Sequence, residues 1–294
     1  MVILMMIVLL LFLIFQAELC VTGARSGLML WASQLLPVLL PFCILSKILM
    51  MSQAMSILME KLHLPIWAFI LLCGIFFGFP MGSILAKDFY EAGSLTEKQA
   101  RSLFLFANHL SPAFISGYFL SEQLQRPDLL LLSVILLYLP PIIACIAYNL
   151  SPMGSNDESP HKKTASRLQI NFEIIDAGIM NSLETMLGLG VYLMLFAILI
   201  NICIHCLPSH CVFRQISIHI LEVTNAIHLI CKSDVTIQQK YSACMSAIAF
   251  GGLCGLAQAA SITARYRKVF HLLPYVIVHS THALLIYFFA SLIC

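Results

Sequence analysis

Long apolar runs without charged residues constrain this chain more than any other feature. The clearest run, Leu129–Tyr148, carries no charge, and a helix needs about 20 mostly apolar residues to cross a bilayer. Similar runs cover Leu28–Met51, in which Lys47 is the one charged residue, Met186–Cys206 and His271–Ile293. Composition agrees, because 10% of the residues are charged against roughly 25% in a typical soluble domain. We therefore predict an all-α, polytopic integral membrane protein that contacts the lipid bilayer.

The chain divides at one polar stretch near its middle. Residues 151–167 are rich in Ser, Pro and charge, whereas the segments on either side are apolar. The first residues are almost wholly apolar and have no positively charged segment before them, so we expect an uncleaved membrane helix rather than a signal peptide. The predicted parts are an N-terminal membrane helix over 1–22, a first membrane repeat over 23–150, a polar linker over 151–172 and a second membrane repeat over 173–294.

Each half contains two breaks in its apolar pattern, at corresponding places. The first half breaks at 78–82 (GFPMG) and again near Asn108, and the second half breaks at 222–225 (EVTN) and again at Gly251. Between the breaks we predict two short helices, the second starting at a capping box led by Ser94 or by Thr236. Paired breaks are typical of transporters built from repeats. We predict two inverted repeats with broken or re-entrant helices, and ordinary kinking by Gly and Pro is the alternative.

Short motifs in the chain occur in a recognisable order. They are LPVLLPF at 36–42, GFPMG at 78–82, Asn108 with Ser111-Pro112, LEVTN at 221–225, and FGGL at 250–253 with Gln258. Together they resemble the sporulation integral membrane protein YlbJ family. Phe79 stands where that family would have Tyr, Cys254 where it would have a small hydroxyl residue, and His109-Leu110 where it would have smaller, more polar residues.

The resemblance implies both a fold and a role. It implies a nucleoside-recognition gate domain, related to concentrative nucleoside transporters, with two inverted repeats. It also implies sporulation in an endospore-forming bacterium and movement of a small metabolite such as dipicolinate into the spore. The expected location is the bacterial cell membrane, or the membrane around the forespore.

The breaks supply the candidate substrate-binding residues. A charge at the bilayer centre costs about 2.5–3.5 kcal/mol even on the lenient insertion scale, so Glu222 is the leading candidate for binding substrate or a coupling ion, and a helix-cap carboxylate is the alternative. Glu184 is a second ion-coupling candidate, with an interfacial carboxylate as the alternative. The full substrate-binding set is Gly78, Phe79, Pro80, Met81, Gly82, Asn108, Ser111, Pro112, Glu222, Thr224, Asn225, Gly251, Gly252 and Gln258.

Other polar residues have simpler interpretations. Lys87, Asp88 and Glu91 fit a solvated helix face, and the Gly pair 251–252 also fits tight helix packing. His279 and His282 are one helical turn apart, which suits packed histidines better than a proton relay. A cluster of Cys and His fits no zinc-finger spacing, so we predict no metal site there; its members are Cys203, His205, Cys206, His210 and Cys211.

The sequence favours a permease over other classes of protein. It contains no HExxH motif, phosphate-binding loop or GxSxG elbow, so we expect neither enzymatic activity nor a cofactor. The formal net charge of +2 gives no reason to expect nucleic acid. We predict a permease for a small, polar, anionic metabolite, dipicolinate-like or nucleoside-like, coupled to a proton or sodium ion. The alternative is a non-transporting subunit that organises or gates a partner complex in spore formation, and a homo-oligomer or partner membrane protein is compatible with both.

Overall fold

Helices account for the regular structure of the described part of the chain. The computed structural model describes residues 14–52, 64–151, 170–208 and 220–293, together with isolated positions 54, 57, 61 and 217. No strand occurs among these residues. The prediction of an all-α fold is therefore confirmed.

The helices follow one another with few long connections. The first half contains α1 (Ala17–Leu30), a π-helical turn (Trp31–Leu35), α2 (Leu36–Met51), α3 (Ile66–Phe77), α4 (Met81–Glu91), α5 (Glu97–Phe106), a π-helix (Phe114–Gln123), a 3₁₀ turn (Pro127–Leu129) and α6 (Leu130–Leu150). The second half contains α7 (Phe172–Cys206), α8 (Val223–Lys232), α9 (Ile237–Phe250), α10 (Gly252–Ile262), a 3₁₀ turn (Ala264–Tyr266) and α11 (Leu272–Ile293).

Four helical stretches in the described ranges are long and apolar enough to cross a membrane. They are Pro127–Leu150, Phe172–Cys206, Ile237–Ile262 and Leu272–Leu292. A shorter apolar helix, Ile66–Phe77, accompanies them. Many large apolar side chains on these helices are exposed, as expected for surfaces that face lipid. The prediction of a polytopic membrane protein in contact with the bilayer is confirmed.

Two of the predicted domain boundaries can be compared with the ends of helices. The boundary after residue 22 falls inside α1, which continues through the π-helical turn into α2. Residues 1–13 of the predicted N-terminal helix lie outside the described residues. The same holds for residues 152–169, which make up most of the predicted linker. Helix α7 begins at Phe172 with the Asn171 side chain as its cap.

The α1–α2 helix packs along the long helix α7. Gly23 and Gly27 face α7 so closely that a Cβ atom on either would lie 2.8 Å from a Cα atom of α7. Small residues allow such close approach between membrane helices. Farther along, Trp31 Nε1 donates a hydrogen bond of 3.0 Å to the backbone carbonyl of Met186. This packing places Trp31 next to the centre of the molecule.

Each half contains a helical hairpin followed by a short helix, a 3₁₀ turn and a long helix. In the first half α4 and α5 form the hairpin, and in the second half α8 and α9 form it. The second helix of each hairpin starts with a capping box in which a Thr and a Gln satisfy each other's backbone groups. Thr236 is the predicted cap, but the prediction of Ser94 is wrong, because Thr96 with Gln99 caps α5. The elements thus follow the same order in both halves, and the inverted relationship stays a prediction.

Candidate functional site

The first break is formed by backbone segments that touch each other directly. Gly78 ends α3 with φ +76° and ψ −177°, a conformation essentially confined to glycine. A Cβ atom on Gly78 would lie 2.4 Å from the backbone nitrogen of Ser111, and one on Gly82 would lie 2.2 Å from the carbonyl oxygen of Ala107. The start of α4 therefore rests on the segment after α5, with no room for side chains between them.

The side chain of Asn108 stabilises this contact between α4 and the segment after α5. Its Oδ1 accepts a hydrogen bond of 2.8 Å from the backbone N–H of Ser83, in the first turn of α4, and its Nδ2 donates one of 2.8 Å to the carbonyl of Phe104. The first backbone N–H groups of a helix have no partner inside that helix, so Asn108 supplies one. The backbone N–H of Phe79 also donates to the carbonyl of His109 over 2.6 Å. Asn108 thus has a structural role, and its role in substrate binding stays a prediction.

The second break is organised by the buried carboxylate of Glu222. Glu222 is 6% exposed and is the N-cap of α8. Its carboxylate accepts hydrogen bonds from the backbone N–H groups of Thr224 (2.8 Å) and Asn225 (2.9 Å) and from Asn225 Nδ2 (2.8 Å). The Thr224 hydroxyl also donates to it. A negative charge at a helix N-terminus is favourable, so Glu222 caps this helix, as its alternative interpretation proposed.

A bend at Gly251 continues the second break. Gly251 has φ +78° and joins α9 to α10, and nothing lies within 4 Å of the position that its Cβ would occupy. A Cβ on Gly252 would lie 3.3 Å from Glu222 Cα. Gly251 therefore makes the turn, while Gly252 allows α10 to approach the start of α8.

The two breaks meet at a cavity of about 290 Å³. Predicted site residues from both halves line it: Phe79, Pro80, Asn108, Ser111, Glu222, Thr224, Gly251 and Gln258. The other predicted residues do not line it: Gly78, Met81, Gly82, Pro112, Asn225 and Gly252. Asn225 lies in a neighbouring cavity of about 220 Å³ that Glu222 and Thr224 also border. The structure thus brings the two breaks together, and substrate binding by these residues stays a prediction.

The wall of this cavity combines aromatic rings with a few polar groups. The rings belong to Trp31, Phe79, Phe114, Tyr118 and Tyr275. Glu222 is the one charged side chain among the lining residues, which include no Lys or Arg. Cavities that bind small molecules commonly show this pattern of apolar walls with a few placed polar groups.

Four of these aromatic residues were missed by sequence reasoning: Trp31, Phe114, Tyr118 and Tyr275. Trp31, Tyr118 and Tyr275 lie outside both breaks, in helices distant along the chain. Tyr118 donates a hydrogen bond of 3.1 Å to the carbonyl of Thr224 and so connects the two halves. No local pattern identifies them, because an aromatic residue in an apolar helix is equally suited to facing lipid.

A second, polar cavity of about 620 Å³ lies beside the first. Alternating charges cross it: Asp88 pairs with Lys47 (3.1 Å) and Lys87 (2.7 Å), and Glu91 pairs with Lys87 (3.7 Å) and Arg265 (3.2 Å). The expectation of a solvated helix face is wrong for Asp88, which is buried in this network.

Two residues relate the polar cavity to the apolar one. Glu184 is exposed and lines the polar cavity, so it does not meet Glu222 in the apolar one. Gln258 and Leu189 line both cavities, and Gln258 Nε2 lies 3.1 Å from Cys254 Sγ. These two side chains therefore form part of the wall between the cavities.

The described Cys and His residues do not form a metal site. No group of three or more His, Cys, Asp or Glu in the described ranges is placed to hold a metal ion. His210 and Cys211, from the cluster considered above, lie outside those ranges.

Comparison with known proteins gives one similarity. The chain is 24% identical over 284 residues to the "Sporulation integral membrane protein YlbJ" of Bacillus subtilis (strain 168), covering 82% of this chain and 69% of that protein. No protein-family model and no solved structure matches the chain. The similarity extends over most of the chain and agrees with its membrane-spanning helices.

Proposed function

We propose that this chain is a membrane permease, not an enzyme, and that it acts in sporulation on a small, polar, anionic metabolite of the dipicolinate or nucleoside kind. One observation carries the proposal: the breaks of both halves meet at a cavity that contains a buried carboxylate. Similarity to a sporulation membrane protein supports the biological setting. The location is then the bacterial cell membrane or the membrane around the forespore.

The size and lining of the cavity suit a small planar solute. Its volume of about 290 Å³ lies near the lower end of ligand pockets, about 300–1,000 Å³. Aromatic walls can stack on a ring, while Asn108, Ser111 and Gln258 can exchange hydrogen bonds with polar substituents. Both solute kinds combine a flat ring with polar groups, which is the combination that this lining accommodates.

The charge of the cavity implies a companion cation for an anionic solute. Glu222 is negative and the lining offers no Lys or Arg. The N-terminus of α8, which would otherwise attract an anion, is already occupied by the Glu222 carboxylate. An anion therefore enters favourably only together with positive charge, and a proton or a sodium ion can supply it.

The neighbouring polar cavity offers a route for solute to the apolar cavity. It shares Gln258 and Leu189 with the apolar cavity, so movement of these two side chains would join the two spaces. A closed apolar site beside a wide polar vestibule is what a carrier needs in one of its access states. A subunit that only docks another helix would instead need a flat apolar groove at the breaks, so the cavity favours the permease over the non-transporting alternative.

The site assignment is tested by filling the cavity. A Cβ on Gly255 would touch only the Phe79 ring, at 3.8 Å, so Gly255→Leu should fold and place its side chain in the cavity. We expect uptake of radiolabelled dipicolinate or uridine into proteoliposomes to fall about tenfold, because the leucine side chain occupies space that the solute needs; tenfold corresponds to about 1.4 kcal/mol of binding free energy. The melting temperature in detergent should stay near that of the wild type.

The matched control for this experiment is Gly117→Leu. Gly117 is exposed on the π-helix and has nothing within 4 Å of its Cβ position, so uptake should be unchanged. Normal uptake by a folded Gly255→Leu variant would move the transport site elsewhere. No uptake of either probe by folded, inserted wild-type protein would favour the non-transporting subunit.

A further inference from the structure

Three buried histidines meet directly behind the wall of the apolar cavity. His109 lies in the first break, and His279 and His282 lie on α11. The His109 ring centroid is 5.1 Å from that of His279 and 5.2 Å from that of His282. His109 is 2% exposed and the other two are also buried. The sequence indicated only the pair on α11, and the structure adds the third ring.

The hydrogen bonds of the α11 pair fix where their protons lie. His279 Nδ1 is 3.1 Å from the carbonyl oxygen of Ala249, and His282 Nε2 is 3.3 Å from that of Leu136. A carbonyl only accepts, so each of these nitrogens carries the hydrogen. In the neutral rings the lone pairs therefore sit on His279 Nε2 and His282 Nδ1.

His109 is left unsatisfied in the neutral cluster. Neither of its ring nitrogens has a hydrogen-bond partner among the described residues. Leaving a buried polar group unpaired costs about 1–3 kcal/mol. Neutral His109 has one N–H, while its two neighbours each offer a lone pair. One added proton gives His109 two N–H groups, one for each neighbour.

The distances allow these new hydrogen bonds. At centroid separations of 5.1 and 5.2 Å, nitrogens of adjacent imidazoles lie about 3 Å apart, the usual hydrogen-bond distance, when the ring edges that carry them face each other. Burial opposes a charge on an imidazole, and hydrogen bonds to the two acceptor nitrogens act against that cost. The cluster can therefore hold one added proton in hydrogen bonds between its rings.

Within the described ranges, no Lys, Arg, Asp or Glu acts electrostatically on His109. The groups that act electrostatically on His109 are the imidazoles of His279 and His282. Backbone carbonyls of the neighbouring helices α9 and α6 accept hydrogen bonds from the cluster. On α11 the Tyr275 ring stacks on His279, with 4.1 Å between the ring centroids. The Tyr138 hydroxyl donates its hydrogen bond to the carbonyl of Leu110, beside His109.

The position of the cluster connects it to the solute site. Asn108 and Leu110, on either side of His109, line the apolar cavity, and so does Tyr275. A proton on His109 would therefore place a positive charge behind a wall that has no basic side chain of its own. It would also tie the first break to α11, because the new hydrogen bonds join the two halves.

We propose that His109, His279 and His282 form a proton-binding site through which this protein couples entry of an anionic solute to entry of a proton. The inference rests on the proposed function. The proton comes from water on the acidic side, is held as an imidazolium while the anion occupies the cavity, and is released to water on the other side. Solute and proton thus travel in the same direction.

The coupling is tested with proteoliposomes whose interior is alkaline and whose membrane potential is clamped with valinomycin and equal potassium. One proton per solute predicts about tenfold accumulation of labelled dipicolinate, the anionic probe, for a gradient of about one pH unit. His271→Gln, at an exposed position just before α11, should behave as the wild type. His109→Gln should no longer accumulate dipicolinate, while it should still equilibrate labelled uridine, which carries no charge to compensate. His282→Gln serves as the second variant if His109→Gln does not fold.

The outcomes separate the coupling from the transport itself. Saturable exchange by the wild type without accumulation under the gradient overturns the coupling and leaves the permease standing. Absence of any exchange refutes the permease. Proton binding is then measured directly by NMR of histidine-labelled wild-type protein in nanodiscs. One shared transition above about pH 5, lost in His109→Gln and kept in His271→Gln, supports the proton site, whereas three rings that stay neutral to that pH overturn it.

Discussion

Gly82→Ala is expected to destabilise this protein by about 3 kcal/mol or more, enough to abolish its accumulation in the membrane. The new Cβ atom would lie 2.2 Å from the carbonyl oxygen of Ala107 and 2.7 Å from its carbonyl carbon. These are backbone atoms, so no rotamer change relieves the clash, and overpacking of this kind costs about 1–3 kcal/mol or more. Relief would separate α4 from Asn108, whose side chain caps that helix. Membrane yield and thermal unfolding in detergent measure the effect.

Three further alanine variants separate the cost of a positive φ from the cost of a steric clash, which are the two reasons for glycine at the first break. Gly78→Ala combines a positive φ with a 2.4 Å contact to Ser111, Gly93→Ala has a positive φ with nothing within 4 Å, and Gly188→Ala has neither. An unfavourable φ alone costs about 1–3 kcal/mol. We expect Gly78→Ala to be at least as harmful as Gly82→Ala, Gly93→Ala to be intermediate and Gly188→Ala to be neutral. Equal stability of Gly82→Ala and Gly188→Ala would contradict the close approach.

Glu222→Gln is expected to lower uptake by about 10- to 100-fold while the protein stays in the membrane. Glutamine keeps one acceptor oxygen for the N-terminus of α8 but removes the single charge of the cavity lining. The companion proton or sodium ion of an anionic solute would lose its carboxylate partner, and a hydrogen bond to a charged group contributes about 1.5–3 kcal/mol, which corresponds to about this range of rates. Asn225→Ala removes one hydrogen bond of 2.8 Å to the carboxylate, so a smaller loss is expected. Initial rates of dipicolinate and uridine uptake are the measurement.

A carboxylate at another helix start provides the control. Glu173 lies in the first turn of α7 and is exposed, so Glu173→Gln changes charge at a helix N-terminus without touching the cavity. It should transport normally. Unchanged uptake in both Glu222→Gln and Asn225→Ala would remove these residues from the transport site. A variant that loses only its response to a sodium gradient would identify Glu222 as an ion ligand.

Several features of this protein were predictable because they depend on local sequence. Apolar runs such as Leu129–Tyr148 determine membrane helices by length and hydropathy alone. The capping box at Thr236 needs only Gln239 three residues later, and it forms as expected. Glu222 and Gly251 were recognisable because a charge and a glycine are unusual within apolar surroundings. The all-α class and the positions of the breaks follow from such local rules.

Local rules were insufficient where two caps or two packing faces compete. Ser94 and Thr96 can both start a helix, and α5 starts at Thr96 because Gly93 and Ser94 complete the end of α4. Asp88 carries the charge of a solvated face, yet Lys47 from a distant helix pairs with it in a buried network. In both cases the outcome depends on atoms outside the local pattern.

The sequence by itself determined that this is a helical membrane protein interrupted at corresponding points in its two halves, because hydropathy, capping and glycine act over a few residues. Only the tertiary structure decided which distant segments meet. It placed Tyr275 and Trp31 at the breaks, separated Glu184 from Glu222, and brought His109 to the histidines of α11. These contacts arise from close backbone packing, as at Gly82 against Ala107, and such packing depends on the whole set of helices.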